Sequence, residues 1–167
     1  CSSDLSKIDI TPKKPAFLAG YGANRKSTSV HDPVSARCLV LEAGDTRIAI
    51  VSCDLIGFPR YATESVRSRV KSIRPEHLYI AATHTHSGPD TLGQWGPDIQ
   101  TSGVDKAWWA ETQSRIVKMI DETTAKLEPA ALKFAHTTDV PKVSKNARVS
   151  EILDTELGVM QVVSPTN

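Results

Sequence analysis

Two short apolar runs constrain this chain most: residues 47–53, ending Ile48-Ala49-Ile50-Val51-Ser52-Cys53, and residues 78–81, Leu78-Tyr79-Ile80-Ala81. Each has the length of a strand and stops abruptly at polar residues. Between them, residues 62–73 place Val66, Val70 and Ile73 at helical spacing with Arg67, Arg69 and Lys71 outward, which predicts a surface helix over residues 64–71. Strand, helix and strand in that order predict an α/β or α+β layered domain with a mixed sheet and packing helices.

The rest of the chain continues the alternation. Residues 7–12 alternate polar and apolar until Pro12, as a half-buried strand does, and residues 2–6 read as a polar tether. Residues 34–42 form another strand pattern, joined through the Gly44-Asp45 turn to the run at 47–53. The strand at 77–83 places His77 at its exposed start. Asp105 is positioned to cap a long helix over residues 106–127, with Trp108, Thr112, Ile116, Met119, Ile120 and Thr123 on or beside one stripe. Residues 131–136 and 157–163 read as further strands, with a polar crossing over 143–149 between them. His136 reads as structural.

With 167 residues there is enough chain for one domain with a real core. A net charge of +1 gives no electrostatic case for nucleic acid or an anionic membrane surface. No apolar run approaches the ~20 residues of a membrane helix. Cys38 and Cys53 lie in apolar strands and read as small buried hydrophobes, and an odd count of three cysteines argues against a disulfide framework. Cys1, followed by Ser2-Ser3-Asp4, resembles the processed first residue of a bacterial lipoprotein. That resemblance implies an exported protein, in the cell envelope or secreted, with a lipid anchor on Cys1; the other reading is a fragment boundary.

Chemistry concentrates after the second apolar run, in Thr83-His84-Thr85-His86-Ser87-Gly88-Pro89-Asp90. If the strand continues, alternation puts His84 and His86 on one face with Cα atoms roughly 6.6 Å apart. Two such imidazoles can hold one metal, can divide metal and substrate between them, or can simply bond to neighbouring carbonyls. Asp54, just past the first run, can support a metal-bound histidine or cap the following turn. Residues 90–104 form a glycine-rich irregular loop in which Trp95 is either a pocket wall or a hydrophobic plug. The Gly20-Tyr21-Gly22 segment is by itself a simple turn, and its two glycines also allow positive φ and close approach to a ligand. A nucleophilic Ser87 has no Gly-x-Ser-x-Gly elbow around it.

These motifs together resemble the N-terminal part of the neutral/alkaline non-lysosomal ceramidase family. The likeness rests on Ile10-Thr11-Pro12, Ala19-Gly20-Tyr21-Gly22, Asp32-Pro33-Val34-Ser35-Ala36-Arg37, Ser52-Cys53-Asp54, Asn146-Ala147-Arg148 and, most specifically, Thr83 to Pro89. It implies a zinc hydrolase that cleaves the amide of an N-acyl lipid such as ceramide. By motif, His84 is implied as a Zn2+ ligand and His86 as a catalytic contact to the amide or its tetrahedral intermediate. Arg148 is implied to hold the substrate's polar head, and Gly20, Tyr21 and Gly22 to supply backbone contacts beside it. The family's further ligands, a histidine, a glutamate and a tyrosine, come from segments beyond this chain, which therefore reads as an N-terminal portion, residues 7–167, inactive by itself. Where family members continue Ser-Gly-Pro with glycines, this chain has Asp90-Thr91-Leu92-Gly93. That departure leaves a different amide or ester substrate, or a non-catalytic surface lipoprotein domain, as the competing readings.

Overall fold

The computed structural model describes residues 1–140 and 145–165. Val143 and Ser144 of the polar crossing, and Thr166 and Asn167 at the end, lie outside them. The chain divides into two compact units, Ser2–Glu128 and Cys1 with Pro129–Asn167.

The larger unit is a mixed sheet covered by helices, an α+β architecture. Its strands are β1 (Ser2–Asp9), β2 (Ser35–Ala43), β3 (Thr46–Cys53) and β4 (Leu78–Ala82), in spatial order β4-β3-β2-β1. A two-residue strand, β5 (Glu128–Pro129), follows β1 at the edge. β1, β2 and β3 are antiparallel neighbours; β4 runs parallel to β3. The β2–β3 turn uses Gly44 at φ 55°, where a residue with a Cβ would be strained.

Register explains how the sheet sorts its side chains. Cys38, Val51 and Ile80 stand opposite one another across β2, β3 and β4, as do Val40, Ala49 and Leu78. These rows belong to the core together with Leu55, Val66, Trp109, Ile116, Met119 and Ile120. On the other face Leu5, Leu39, Ile50 and Tyr79 make a second continuous row, with Leu5 and Tyr79 exposed. Cys38 and Cys53 are buried and unpaired, and burial pushes both thiols up to about 12.

Residues 2–6 are a stretch whose structural character the pattern misstates. They are not a tether but the first half of β1, paired with residues 38–42. Alternation there is inverted, with Leu5 facing solvent and Ser6 turned inward to hydrogen-bond the Thr123 hydroxyl. A polar residue facing inward erases the hydrophobic signature of a strand.

Helix α1 spans Arg60–Arg67, earlier than residues 64–71. It cannot extend to Lys71 because the Asp121 carboxylate accepts from the Lys71 and Ser72 amides and the Ser72 hydroxyl. A carboxylate that captures backbone amides competes directly with helix propagation. Helix α2 (Lys106–Thr124) begins as expected, with Asp105 accepting from the Ala107 and Trp108 amides. It buries Thr112, Ile116, Met119, Ile120 and Thr123. Before β4 a single 3-10 turn, Pro75–His77, brings His77 to a half-buried position against the Arg47 carbonyl, so His77 is not an exposed strand residue.

In the smaller unit, β6 (Ala131–Thr137) and β7 (Leu157–Val163) form an antiparallel ladder. His136 is exposed, 3.9 Å from Glu156. Cys1 is exposed, and its thiol donates to the Ala130 carbonyl.

Candidate active site

Because β3 and β4 are parallel, their carboxyl ends open at the same edge of the sheet. In open sheets that edge is where ligands bind. Asp54 leaves β3 there, and Thr83 and His84 leave β4, with the Thr83 amide still bonded to the Cys53 carbonyl.

The strand does not continue through the histidines. It stops at Ala82, and His84 takes a positive φ of 62°, an uncommon conformation for a histidine. The expectation that strand alternation aligns the pair therefore fails. The rings nevertheless meet, with centroids 5.1 Å apart and edge to face. What brings them together is a set of contacts from distant segments.

His84 is exposed, and its Nδ1 lies 2.8 Å from the Ile56 carbonyl. A carbonyl only accepts, so Nδ1 carries a proton, and in the neutral ring Nε2 is the nitrogen with the lone pair. This is the arrangement of an imidazole prepared to ligate through Nε2. His86 is half-buried and packs closely against two neighbours. A Cβ on Gly20 would lie 2.3 Å from the His86 Cγ, so only glycine lets the ring sit there, and Gly20 is also at φ 96°. The Tyr21 and His86 rings meet in a T-shaped contact at 5.4 Å, and the Arg25 guanidinium stands 5.1 Å over the Tyr21 ring. The close approach that Gly20 permits is thus to His86. Gly22 sits in the open, with nothing near its Cβ position.

Backbone bonds tie these segments together. The Ala19 amide donates to the Gly88 carbonyl, the Asp90 amide to Phe17, and the Asn24 amide to Gly96. Leu18 and Pro89 form an isolated bridge.

Asp54 does neither of the things its position suggested. Its carboxylate takes the Ser35 amide and hydroxyl and the Arg37 guanidinium, tying the end of β3 to the start of β2. Burial works to raise its pKa, but the Ser35 and Arg37 hydrogen bonds and the Arg37 charge outweigh it and hold the carboxyl below its ordinary range. Asp90, by contrast, is almost fully buried. Its Oδ1 accepts from the Leu92 and Gly93 amides and its Oδ2 from Trp95 and Gly103, so one side chain organises the whole loop. Trp95 is half-buried within it.

Side chains still alternate in a looser sense. Thr83, Thr85 and Ser87 line a cavity of about 840 Å³, together with Leu18, Val34 and Asp54, whereas neither histidine lines it. Arg148 belongs to the smaller unit. Asn146 Oδ1 accepts from the Arg148 and Val149 amides and Asn146 Nδ2 donates to the Ile152 carbonyl, forming a turn that displays an exposed Arg148. The geometry thus gathers Gly20, Tyr21, His84 and His86, with Gly22 adjacent in the chain. Sequence reasoning missed Ile56, which acts through its carbonyl and leaves no trace in residue type. It also missed the loop-building role of Asp90, although an Asp two and three residues before its amide donors is a recognisable Asx pattern.

A zinc site can be tested against these donors. His84 suits one ligand position, with its tautomer fixed. Among the described residues no group of three His, Cys, Asp or Glu side chains is placed to hold a metal. Catalytic zinc takes three protein ligands, so the described residues do not by themselves supply such a site.

The family model for neutral/alkaline non-lysosomal ceramidase, N-terminal, matches residues 4–150. The chain belongs to this family. It is 28% identical over 140 residues to the neutral ceramidase of Pseudomonas aeruginosa, covering 78% of this chain and 21% of that protein. The neutral ceramidase of Mycobacterium tuberculosis is 25% identical over 130 residues, covering 71% of this chain and 20% of that one. The chain therefore spans about a fifth of the length of these relatives. Among solved structures, a ceramidase complexed with C2 superposes with a TM-score of 0.79 at 23% identity, over 99% of this chain and 29% of the other. The crystal structure of the Pseudomonas aeruginosa neutral ceramidase gives 0.77 at 22% identity, over 99% and 30%. These superpositions establish the fold as part of a larger ceramidase-type domain.

Proposed function

We propose that the complete protein is a zinc-dependent hydrolase that cleaves the amide bond of an N-acyl lipid such as ceramide into a sphingoid base and a fatty acid. The observation that carries this reading is the His84 Nδ1 bond to the Ile56 carbonyl, which in the neutral ring leaves Nε2 as the nitrogen free to ligate, on an exposed side chain whose ring meets that of His86. In this reading His84 is one zinc ligand, and the remaining ligands lie outside the described residues. Zinc bound there supplies a water of pKa near 7 and a polarised carbonyl.

The chain's own residues do the rest. His86, packed tightly against Gly20 and in T-shaped contact with Tyr21, is restricted in orientation and can donate to the oxygen on which charge develops. The Gly20-Tyr21-Gly22 backbone flanks that ring and offers amides to the substrate. Arg148 binds the polar head, and its exposed position on the Asn146 turn suits that role.

The activity is tested by fatty-acid release from a labelled N-acylsphingosine and by zinc content, both on the complete gene product. His84→Ala is expected to lose both. Undiminished activity with zinc still bound would overturn the proposal.

A further inference from the structure

Asp90 and Thr91 follow the Gly88-Pro89 breaker, and each is only 1% exposed. Buried polar side chains persist where their hydrogen bonds fix a particular geometry. Asp90 spends all its acceptor capacity on four amides of its own loop, from Leu92 to Gly103. Thr91 does something different. Its hydroxyl crosses to the 54–58 segment and donates to the Gly57 carbonyl at 2.6 Å. Gly57 is the residue after Ile56, whose carbonyl receives the His84 Nδ1 proton. Leu92 presses on the same point: a Cβ on Gly57 would meet the Leu92 side chain at 2.9 Å.

We infer that Thr91, anchored by Asp90, is a positioning residue for His84, acting through the Gly57 and Ile56 peptides to fix which nitrogen of the imidazole carries the proton. The device is a chain of contacts. The Asp90 carboxylate closes the loop, the closed loop holds the Thr91 hydroxyl and Leu92 against Gly57, and the 56–57 backbone is thereby set at the height of the His84 ring. A histidine at positive φ leaves the strand without the ladder's support, so its ring orientation depends on such an outside contact. Ligand histidines are tuned through the partner of their second nitrogen, and loss of that partner typically weakens metal binding 10–100-fold. The inference rests on the proposed role of His84 as a zinc ligand for its functional meaning, but not for its geometry.

The test compares the complete gene product with its Thr91→Val and Thr91→Ser forms. Long-range ¹⁵N–¹H spectra at pH 8 read the His84 tautomer without any metal, and titration with zinc alone reads relative affinity. The native chain and Thr91→Ser should show Nδ1 protonated, with affinities within about twofold. Thr91→Val, which keeps the shape and loses the hydroxyl, should lose the single dominant tautomer and bind zinc about 10-fold more weakly. A melting temperature alone does not decide, since a structural role would move it too. If the valine form does not fold, Thr91→Ala reads the same two quantities. Unchanged tautomer and affinity in the hydroxyl-free form would overturn the inference, as would equal losses in the serine and valine forms. A native chain that shows the Thr91-dependent tautomer yet takes no zinc would uphold the positioning and remove the metal reading instead.

Discussion

The helix-covered face of the sheet and the loops at its carboxyl edge are built by different forces. On the covered face, Val40, Val51, Leu55, Leu78, Ile116 and Ile120 are wholly buried and stabilise by removing apolar area from water. At the loops, the histidines are exposed or half-buried, and their geometry comes from single polar bonds: Asp90 on four amides, Thr91 on Gly57, His84 on Ile56. Apolar burial is spread over many atoms and tolerates small changes. A loop that hangs on one carboxylate does not. The difference is that damage to the core should appear mainly as lost stability, whereas damage to the loops should appear as misplaced imidazoles.

Substitutions can separate the two regions. Ile120→Ala, at a fully buried helix position facing the sheet, should cost about 3 kcal/mol in urea unfolding and leave the remaining folded molecules with native His84 and His86 resonances. Asp90→Ala leaves four loop amides without their acceptor. A loss on the order of 2–3 kcal/mol is expected, and here the histidine resonances should shift as well. Gly20→Ala forces a Cβ into the His86 ring and a side chain onto a φ of 96°. About 1–2 kcal/mol should be lost, with the Tyr21–His86 ring contact broken in the spectrum. Native-like histidine signals in both loop variants would erase the distinction between the regions.

The smallest effect expected concerns Asp54, between the two. Its folded pKa lies below the ordinary value, so it stabilises the fold above about pH 4 and loses that contribution as pH falls through the folded value. Asp9, Asp98 and Glu151 are held low as well, by hydrogen bonds to their carboxylates, so acid unfolding of the native chain reports all four. The difference between native and Asp54→Asn isolates the first. It should be largest near pH 7 and shrink toward pH 3; a gap that widens in acid would contradict the assignment.

The same contrast explains what the sequence could disclose. The core was legible because its residues recur in recognisable patterns: short continuous apolar runs in residues 47–53 and 78–81, and period 3.6 from Trp108 to Thr123. The Asp105 cap was legible because it acts on amides two and three residues away. β1 was half-hidden because Ser6 points inward, and α1 shifted because Asp121, fifty residues on, takes the Lys71 amide. The importance of His84 and His86 was visible in their motif, but the reason they meet was not. That reason lies in a main-chain carbonyl at Ile56, a missing Cβ at Gly20 and a buried Asp90, none of which has periodicity. Asp54, expected to serve a histidine or a turn, instead joins two strands through Ser35 and Arg37, a pairing visible only once β2 and β3 are in register.

The central claim is that the two histidines have distinct duties, His84 holding zinc and His86 facing the substrate. The most direct measurement is zinc stoichiometry alongside fatty-acid release for His84→Ala and His86→Ala of the complete gene product. The account predicts that His84→Ala loses zinc and activity together, whereas His86→Ala keeps its zinc and loses activity. Zinc retained in the first variant, or lost equally in both, would contradict it.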